Sequence, residues 1–398
     1  MKILLVHNRY RSGTPSGENR VVEQESAALA ALGHEVTRFD RSSDEIEQWS
    51  LAKKATLPAR IVWNPETFRD LKAALRAQRP DVVHVHNTFP LVSAAVLYAC
   101  RDAAVPVVAT MHNYRLACLN GAYFRDGAVC HDCAEGLILP GLQHGCYRNS
   151  VAATAPMAVA MVAHRRAWRS LVSAYIFISR SQRDLLRAIR LPDDRVFVRH
   201  NLIPFRERPQ VPKSSIVVYA GRLDEAKGTR VLMDGWDRYL ETAGDAGLRL
   251  TIAGGGPLDG EVAAWAATRP SVTLAGVLSS ADCADLITRA RAVLVPSICE
   301  ETFGLVAMES MAAGVPPIAA AHGALTELIT PGVDGRLFAP GDAAALASNI
   351  ADAERNPEDY EGYGEAARKT YEQRFDPERN LADLLDIYRY AIKHPVKV

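Results

Sequence analysis

Residues 292–316 read AVLVPSICEETFGLVAMESMAAGVP, a stretch that combines a strand, a loop and a helix. The apolar run Ala292–Pro296 predicts a buried parallel strand, and Gly304–Ala313 predicts a short helix that ends at Gly314 and Pro316. A buried strand followed directly by a helix is the repeating unit of an α/β sheet. The stretch therefore indicates that fold class.

Two glutamates in this stretch are separated by seven residues. Glu301 lies in the loop before the helix, and Glu309 lies within the helix, which is apolar on nearly every side and is expected to be buried. A buried carboxylate needs polar partners, and sugar hydroxyls are suitable ones. The backbone N–H groups of Gly304, Leu305 and Val306 would face an anion such as a phosphate. The stretch thus predicts a site for a phosphorylated, hydroxyl-rich ligand.

Strand-like and helix-like segments alternate along the whole chain. The strands of the first half are predicted at Lys2–Val6, Glu35–Arg38, Asp81–Val85, Val105–Thr110 and Tyr175–Ile178. Those of the second half are predicted at Ser215–Gly221, Leu248–Ala253, Val272–Leu274, Ala292–Val295 and Pro317–Ala319. This alternation predicts two Rossmann-like, doubly wound domains, each with a parallel sheet covered by helices.

The length of the chain and a proline-rich stretch set the predicted domain boundaries. A chain of 398 residues is too long for one core, and Pro204, Pro209 and Pro212 indicate a linker. We expect an N-terminal domain at 1–204, a C-terminal domain at 205–376, and a helix at 377–398 that crosses back to the first domain. Ligands of such sheets bind at the carboxyl ends of the strands, so the active site is expected in the cleft between the domains.

Charge is distributed unevenly although the formal net charge is zero. Residues 1–208 hold 28 Lys and Arg against 19 Asp and Glu, and the remainder holds 18 against 27. Seven arginines cluster in one stretch: Arg165, Arg166, Arg169, Arg180, Arg183, Arg187 and Arg190. Such a stretch suits an anionic lipid or another anionic polymer, and a solvated helix face is the alternative. We expect no nucleic-acid partner.

The sequence predicts a cytoplasmic protein. Met1–Val6 is too short for the apolar core of a signal peptide, and the longest run of low polarity, Val151–Ala163, contains Pro156 and is shorter than a membrane span. Any contact with a membrane is expected to be peripheral, at its inner face.

Two cations follow the first strand of the second half. Gly221 permits a tight turn after that strand, and Arg222 and Lys227 then place two positive charges at the strand tip. Paired cations of this kind fit a diphosphate. An Arg and a Lys in an ordinary surface loop are the alternative, but the glutamate pair favours the binding site.

Two glycine-rich loops are further candidates. Ala253–Pro257, with Gly254 and Gly256, permits the backbone to approach a ligand or makes a tight turn. It lacks the G-x-G-x-x-G spacing because position 259 is Asp, which disfavours a nicotinamide cofactor. In the first half, Ser12–Asn19 precedes a helix, and its Gly17 predicts a cradle for phosphate or acceptor. A flexible surface loop is the alternative there.

Histidines follow two strands of the first half. His112 comes after Val105–Thr110, at the strand end where functional residues gather in open sheets, and we favour a functional role for it. His84 and His86 follow the preceding strand in a similar way. A lone histidine is more often structural than catalytic, and we favour the structural role for His86.

Four of the seven cysteines fall within one insertion, at about residues 113–150. A loop of that length needs a cross-link to stay ordered, and four thiolates around a structural zinc would supply one in a cytoplasmic protein. Free thiols packed into a lid are the alternative, and His131 and His144 could substitute as ligands. The predicted metal ligands are Cys118, Cys130, Cys133 and Cys146.

Several catalytic motifs are absent from the sequence. There is no D-x-D pair to hold a divalent metal on a diphosphate, no G-x-x-x-x-G-K-[ST] loop and no G-x-S-x-G elbow. Neutralisation of a diphosphate is therefore expected from side-chain cations and helix ends, without a catalytic cofactor.

Together these motifs resemble the retaining GT-B glycosyltransferases of family 4 over nearly the whole chain. The resemblance rests on the glutamate pair, Gly221–Leu223 with Lys227-Gly228, Ala253–Pro257, and Asp81–His86. It implies two Rossmann-like domains facing a cleft, a nucleotide-sugar donor on the C-terminal domain and an acceptor on the N-terminal domain. The segment His112–Cys118 and the insertion are similar to a subgroup found among polysaccharide-assembly enzymes.

The resemblance also implies individual roles. Arg222 and Lys227 would hold the donor diphosphate, Glu309 the ribose hydroxyls, and Glu301 and His112 the transferred sugar. The remaining donor-binding positions would be Gly17, Asn201, Gly221, Gly254, Gly256, Phe303, Gly304, Leu305 and Val306. Two segments depart from the family pattern: Ser16–Asn19 lacks its paired glycines, and Asn201–Ile203 differs from its Asn-Gly-Val-Asp.

The predicted reaction is metal-independent transfer of a hexosyl group from a nucleoside diphosphate sugar to a saccharide or polyprenyl-linked saccharide. A retaining enzyme can use a carboxylate nucleophile, whereas the resemblance implies a front-face route in which the leaving phosphate accepts the acceptor's proton. The alternatives are a sugar-nucleotide 2-epimerase of the same fold and a nucleotide-sugar-binding protein without turnover. Release of nucleoside diphosphate only in the presence of acceptor distinguishes the three.

Overall fold

The computed structural model describes residues 1–13, 16–204, 214–244 and 247–396, and the chain divides into two compact units. Unit 1 consists of Met1–Tyr123, Cys130–Leu202 and Glu378–Val398, and unit 2 of Phe124–Val129 and Ile203–Pro377. The chain passes from unit 1 to unit 2 after Leu202 and returns to unit 1 at Glu378, close to the boundaries expected at 204 and 376. In addition, six residues of the insertion, Phe124–Val129, belong to unit 2. Pro209 and Pro212 of the predicted linker lie outside the described residues.

Fourteen strands occur in the described ranges. They are β1 Lys2–Arg9, β2 Glu35–Ser42, β3 Val82–Val85, β4 Val107–Met111, β5 Phe124–Arg125, β6 Ala128–Val129, β7 Ala174–Phe177, β8 Val196–Val198, β9 Ile216–Ala220, β10 Arg249–Ala253, β11 Val272–Gly276, β12 Ala292–Val295, β13 Pro317–Ala320 and β14 Arg336–Phe338.

Sixteen α-helices accompany these strands in the described part of the chain. They are α1 Gly17–Ala31, α2 Leu51–Ala55, α3 Leu57–Val62, α4 Pro65–Gln78, α5 Ala95–Ala103, α6 Leu139–Gln143, α7 Val151–Ser170, α8 Arg180–Leu185, α9 Thr229–Ala243, α10 Asp259–Ala266, α11 Ser280–Arg289, α12 Leu305–Ala312, α13 Leu325–Leu328, α14 Ala343–Arg355, α15 Pro357–Arg374 and α16 Pro377–Lys393. Within the described ranges, none of them combines the length and hydropathy that crossing a membrane requires.

Each unit contains a six-stranded parallel sheet, which confirms the predicted α/β fold. The strand order is β2-β1-β3-β4-β7-β8 in unit 1 and β11-β10-β9-β12-β13-β14 in unit 2, while β5 and β6 form a separate antiparallel hairpin. The order reverses between β1 and β3 in unit 1 and between β9 and β12 in unit 2. Ligands of doubly wound sheets bind outside the carboxyl ends of the strands at this point of reversal.

The strands read as apolar runs because helices cover both faces of each sheet. The central strands β3 and β12 are buried at every position. In β1, Leu4 and Val6 pack into the core on one face, and Ile3 and Leu5 pack into the core on the other. The second of these cores includes Tyr388 and other residues of α16, so the C-terminal helix is an integral part of unit 1.

A buried ion pair connects three elements of unit 1. Glu25 on α1 and Arg199, after β8, are both almost fully buried, with 3.3 Å between Oε1 and Nη1. Arg199 also donates from Nε to the backbone oxygen of Asn380 at 3.0 Å and from Nη2 to its Oδ1 at 2.6 Å. The pair therefore holds α16 against the sheet.

The structure differs from the predicted elements at several ends. β1 extends through Arg9, three residues beyond the predicted strand, and α1 begins at Gly17 because Ser16 caps it by accepting from the Asn19 N–H. β8 and β14 were not predicted as strands. Each has three residues and lies at a sheet edge, where one side lacks a strand partner and a long apolar run is not needed.

We predict that Glu25→Ala destabilises unit 1 by about 3–5 kcal/mol, because it leaves the Arg199 guanidinium buried without its partner. The control is Glu261→Ala, which removes a carboxylate from an exposed ion pair with Arg230 and is expected to change stability little. Chemical denaturation of both variants measures the difference. Equal stability of the two would contradict the assigned role of the buried pair.

Candidate functional site

Two loops meet backbone to backbone at the carboxyl ends of β9 and β10. The Gly221 N–H donates to the Ala253 oxygen at 2.9 Å. A Cβ at Gly254 would lie 1.8 Å from the Gly221 oxygen, and one at Gly256 would lie 2.4 Å from the Leu223 oxygen. Only glycine fits these positions, so their role in the structure is close packing of the two loops.

The loop after β9 carries Arg222 and Lys227 and is organised by Asp224. The carboxylate of Asp224 accepts from the Lys227 N–H at 2.9 Å and lies 3.1 Å from the Arg222 Nε. At Gly228 the φ angle is +71°, and a Cβ there would lie 1.8 Å from the Pro296 oxygen. The loop after β9 is therefore pressed against the loop after β12, at the point where the strand order reverses.

This packing brings Lys227 to Glu301, a contact between residues 74 positions apart. Lys227 Nζ lies 2.5 Å from Glu301 Oε1, and the Ser297 hydroxyl donates to the same oxygen at 2.7 Å. The backbone oxygen of Glu301 accepts from the Ala324 N–H at 2.9 Å. Glu301 is thus held through both its side chain and its backbone.

Both members of this pair are charged near neutral pH. Burial alone would raise the pKa of Glu301, but the charge of Lys227 and the two hydrogen bonds lower it below its ordinary value. Burial would lower the pKa of Lys227, but the Glu301 carboxylate raises it overall. The Lys227 side chain remains 37% exposed, and an ammonium has three N–H donors. It can therefore bind a further anion while it stays paired.

Helix α12 begins beside this pair. Gly304 is its N-cap, with a φ angle of +82°, and Phe303 before it is buried. Leu305, Val306 and Glu309 are partly exposed, whereas Ala307, Met308 and Ser310–Ala312 are buried. Most of the helix is thus buried, as expected, and the three partly exposed residues form one face. Glu309 shares an accessible face with the first turn, whose N–H groups have no acceptor within the helix.

Unit 1 holds a row of buried histidines at the ends of β3 and β4. His112 Nε2 lies 2.9 Å from His86 Nδ1, and their rings stack with centroids 5.2 Å apart. His84 is hydrogen-bonded at both ring nitrogens, to Thr110 and to Tyr388, each at 2.7 Å. His86 therefore supports His112, and His84 joins the sheet to α16.

These imidazoles are neutral. Burial, reinforced by the charge of Arg199, lowers the pKa of His112 to about 3. Burial also lowers the pKa values of His84 and His86 well below the ordinary value. A neutral imidazole offers one N–H donor and one acceptor. His112 is thus suited to hydrogen-bond a ligand, and its pKa makes it a weak base.

The loop before α1 adds polar groups that the sequence analysis did not single out. His7, at the end of β1, bonds through Nε2 to Asn19 Oδ1 at 2.8 Å, and the Glu18 carboxylate accepts from Asn113 Nδ2 at 3.0 Å. Gly17 is the first residue of α1; Thr14 and Pro15 of this loop lie outside the described residues. Position at a strand end, the signal used for His112, could have identified His7.

Asn201 and Ser297 also follow strands. Asn201 is buried in unit 1, three residues after β8 ends. Ser297 was not predicted, although it comes two residues after β12, in the loop that holds Glu301. Ser297 positions the Glu301 carboxylate through its hydrogen bond. The sequence spacing of the two residues does not predict this contact.

The four cysteines of the insertion form no disulfide, and three of them act electrostatically on Cys133. Burial raises the pKa of Cys133, and Cys118, Cys146 and Cys130 raise it further. A tetrahedral zinc site would place the sulfur atoms about 3.8 Å apart. Among the described residues, ligand atoms within 4.8 Å of one another form a group of three only at Glu25, His84 and His86. The cysteines as placed are not a preassembled zinc site, and zinc stays a prediction.

The Glu25, His84 and His86 group is itself engaged in structure. Glu25 is paired with Arg199, and both ring nitrogens of His84 are hydrogen-bonded. A metal there would have to displace these partners. The group therefore serves the core of unit 1.

Comparison with known proteins identifies two family models. The model described as Glycosyltransferase Family 4 matches residues 15–206, and the model described as Glycosyl transferases group 1 matches residues 204–370. The two matches meet at residues 204–206 and together include every strand of both sheets except β1.

Curated relatives and solved structures match over nearly the full length of the chain. Glycogen synthase of Mycobacterium tuberculosis is 27% identical, with 94% of this chain and 91% of that protein covered. Phosphatidyl-myo-inositol mannosyltransferase of Mycobacterium leprae is 25% identical, with 91% of both covered. The crystal structure of Anabaena HepE in complex with UDP-glucose has a TM-score of 0.69 at 19% identity and covers 97% of this chain and 99% of its own.

We predict that the buried histidines destabilise the protein as the pH falls from about 6.5 to 5, against the opposite effect of Glu18 and Glu25, whose pKa values burial raises. The folded pKa values of His84, His86 and His112 lie below the unfolded value of about 6.5. In this window the unfolded chain binds up to about one more proton at each histidine than the folded chain does. Thermal unfolding midpoints across the window measure the net change in stability.

In the same experiment His112→Asn should make the unfolding free energy less dependent on pH, because the difference in bound protons between the unfolded and folded chains falls by about one. The control His394→Gln, at an exposed position, should leave it unchanged. An equal pH dependence in His112→Asn and the wild type would contradict the assignment of a neutral, buried His112.

Proposed function

The chain belongs to family 4 of the GT-B glycosyltransferases, and we propose that it transfers a hexosyl group from a nucleoside diphosphate sugar with retention of configuration. The acceptor is a hydroxyl group of a saccharide or of a lipid-linked saccharide. The observation that carries this proposal is the Lys227–Glu301 pair, which lies where the strand order of unit 2 reverses. The Lys227 cation at that place suits the diphosphate of the donor, and the Glu301 carboxylate suits the hydroxyl groups of its sugar.

The donor is assigned to groups at the carboxyl ends of β9 and β12. Arg222 and Lys227 bind the diphosphate through their N–H donors, because both side chains remain accessible. Glu301 and Glu309 accept hydrogen bonds from sugar and ribose hydroxyls, and the first turn of α12 provides N–H groups for a phosphate oxygen. Solved structures of similar fold contain UDP or UDP-glucose, so a uridine donor is the first to test.

The chemistry proposed is a front-face substitution. The bond from the anomeric carbon to the phosphate oxygen breaks, the bond to the acceptor oxygen forms on the same face, and the acceptor's proton passes to the leaving phosphate. Charge that develops on the phosphate is stabilised by Lys227, Arg222 and helix N–H groups, which are already in position. Glu301 is held by Lys227 and Ser297, which supports a positioning role over that of a nucleophile.

His112 is assigned to the transferred sugar. Its pKa of about 3 favours a hydrogen bond between a neutral imidazole and a sugar hydroxyl over proton transfer. The His86 ring stacks on the His112 ring, and His86 Nδ1 is hydrogen-bonded to His112 Nε2. The orientation of His112 is thus set before substrate binds.

A cytoplasmic location with peripheral contact at the inner face of a membrane is proposed as well. Helix α7 exposes Val151, Val159 and Val162 along its length and Arg165, Arg166 and Arg169 near its end. Exposed apolar side chains flanked by arginines suit the boundary between acyl chains and anionic headgroups.

The proposal predicts that Lys227→Ala keeps the fold at lower stability, because Glu301 loses its cationic partner, and lowers kcat by about a hundredfold or more, equivalent to about 3 kcal/mol of transition-state stabilisation. The control is Arg230→Gln on α9, which removes one exposed positive charge a few residues away. Release of UDP from UDP-sugars, with and without an acceptor, is measured for both. Wild-type turnover of Lys227→Ala would sink the proposal, and release or epimerisation without acceptor would favour the alternative activities.

Transfer is also predicted to be independent of added divalent metal, because side chains and helix N–H groups neutralise the diphosphate. Initial rates with desalted enzyme should be equal with and without Mg²⁺ or Mn²⁺. NMR of the product should show the anomeric configuration of the donor. A strict requirement for either ion, or an inverted product, would refute the corresponding part of the proposal.

A further inference from the structure

A mainly apolar cavity of about 120 Å³ lies in unit 1 against α7. Met157, Met161 and Trp168 of α7 line it together with Phe89, Leu116 and Ile189. An apolar cavity of about 150 Å³ takes a molecule the size of benzene. This one can therefore hold a short segment of a hydrocarbon chain.

One cation that lines the cavity is only partly paired, since it interacts with Tyr10 and Glu18 but leaves two buried nitrogens without an acceptor in the described part of the chain. Arg115 lines it, and its Nε and Nη1 are buried and have no hydrogen-bond acceptor among the described residues. Its guanidinium lies over the Phe89 ring, 4.6 Å from the centroid. Buried N–H groups of a cation are costly without an acceptor, so these two nitrogens point to an anionic ligand.

The cavity adjoins a larger, cationic depression. A space of about 740 Å³ is lined by Arg165, Arg169 and Arg190, together with Ala188 and Glu135. Arg165 and Arg169 line both spaces. A ligand could thus extend from the depression, past the arginines, into the apolar cavity.

One residue that lines the cavity, Arg115, lies in the loop that follows His112. The Arg115 N–H donates to Asn113 Oδ1 at 3.0 Å, and Asn113 itself follows His112 directly. Asn113 also donates to Glu18 at the start of α1. A phosphate on Arg115 would therefore be close to the group assigned to the transferred sugar.

We propose that this cavity binds the junction between phosphate and hydrocarbon chain of an amphiphilic acceptor. Arg115 binds the phosphate, and Met157, Met161 and Trp168 contact the first part of the chain. The chain then leaves along α7, which exposes Val159 and Val162. The inference rests on the proposed glycosyl transfer and narrows its acceptor to a saccharide carried on a lipid phosphate.

A soluble acceptor explains these features less well. A sugar phosphate would satisfy Arg115 but would place hydroxyl groups against methionine and tryptophan side chains, where they lack partners. A plain alcohol would contact the apolar wall but leave Arg115 Nε and Nη1 without an acceptor. The two features together select a ligand with both a phosphate and a chain.

The test measures binding of dodecyl phosphate, below its micelle-forming concentration, to the full-length enzyme by calorimetry. Dodecanol and inorganic phosphate are the two partial ligands, and each should bind at least about tenfold more weakly. Arg115→Gln should weaken binding of dodecyl phosphate about tenfold or more, and Met161→Trp, which fills the cavity, should abolish it. Arg76→Gln, an exposed arginine on α4, is the matched control and should bind normally.

Binding of UDP-glucose to the same variants is measured in parallel. Retained UDP-glucose binding in Arg115→Gln and Met161→Trp shows that the variants are folded and that the donor site is independent of the cavity. Dodecyl phosphate binding that survives both substitutions, or that inorganic phosphate matches, would overturn the cavity assignment. If UDP-glucose fails to bind the wild-type protein, the assigned uridine donor fails, whatever the lipid result.

Discussion

The contact between Lys227 and Glu301 is the constraint on which the candidate site of unit 2 depends. It requires the loop after β9 to lie against the loop after β12, which is possible because Gly228 leaves room for the Pro296 oxygen. Ser297 and the Ala324 N–H then hold Glu301 in place. Because its neighbours prevent the carboxylate from turning, both charges of the pair are fixed before any ligand arrives. A site organised in this way needs little rearrangement when charge develops on a leaving phosphate.

The buried candidate residues of unit 1 are neutral, in contrast to the charged pair of unit 2. In unit 2 a strong partner keeps Glu301 and Lys227 charged, whereas in unit 1 burial without a carboxylate partner keeps His112 neutral. His86 supports His112, and the Glu25–Arg199 pair anchors the core behind these rings. The two units thus contribute different chemistry: fixed charges in one and neutral hydrogen-bonding groups in the other.

The sequence alone predicted much of this architecture, for physical reasons that differ by element. Long apolar runs such as β12 are recognisable because both faces of the sheet are covered. The three-residue edge strands β8 and β14 gave no such signal. The pairing of Lys227 with Glu301 and the partial exposure of Glu309 depend on tertiary packing, which periodicity does not encode. The unpaired atoms of Arg115 are visible only once the surrounding side chains are placed.

The central claim is that the two cations in the loop after β9, Arg222 and Lys227, bind the donor diphosphate. A crystal structure of the protein with UDP tests it most directly. The account predicts diphosphate oxygens within about 3 Å of Lys227 Nζ and the Arg222 guanidinium, beside the first turn of α12. A diphosphate bound elsewhere on unit 2, with the Lys227–Glu301 pair left free of ligand, would contradict it.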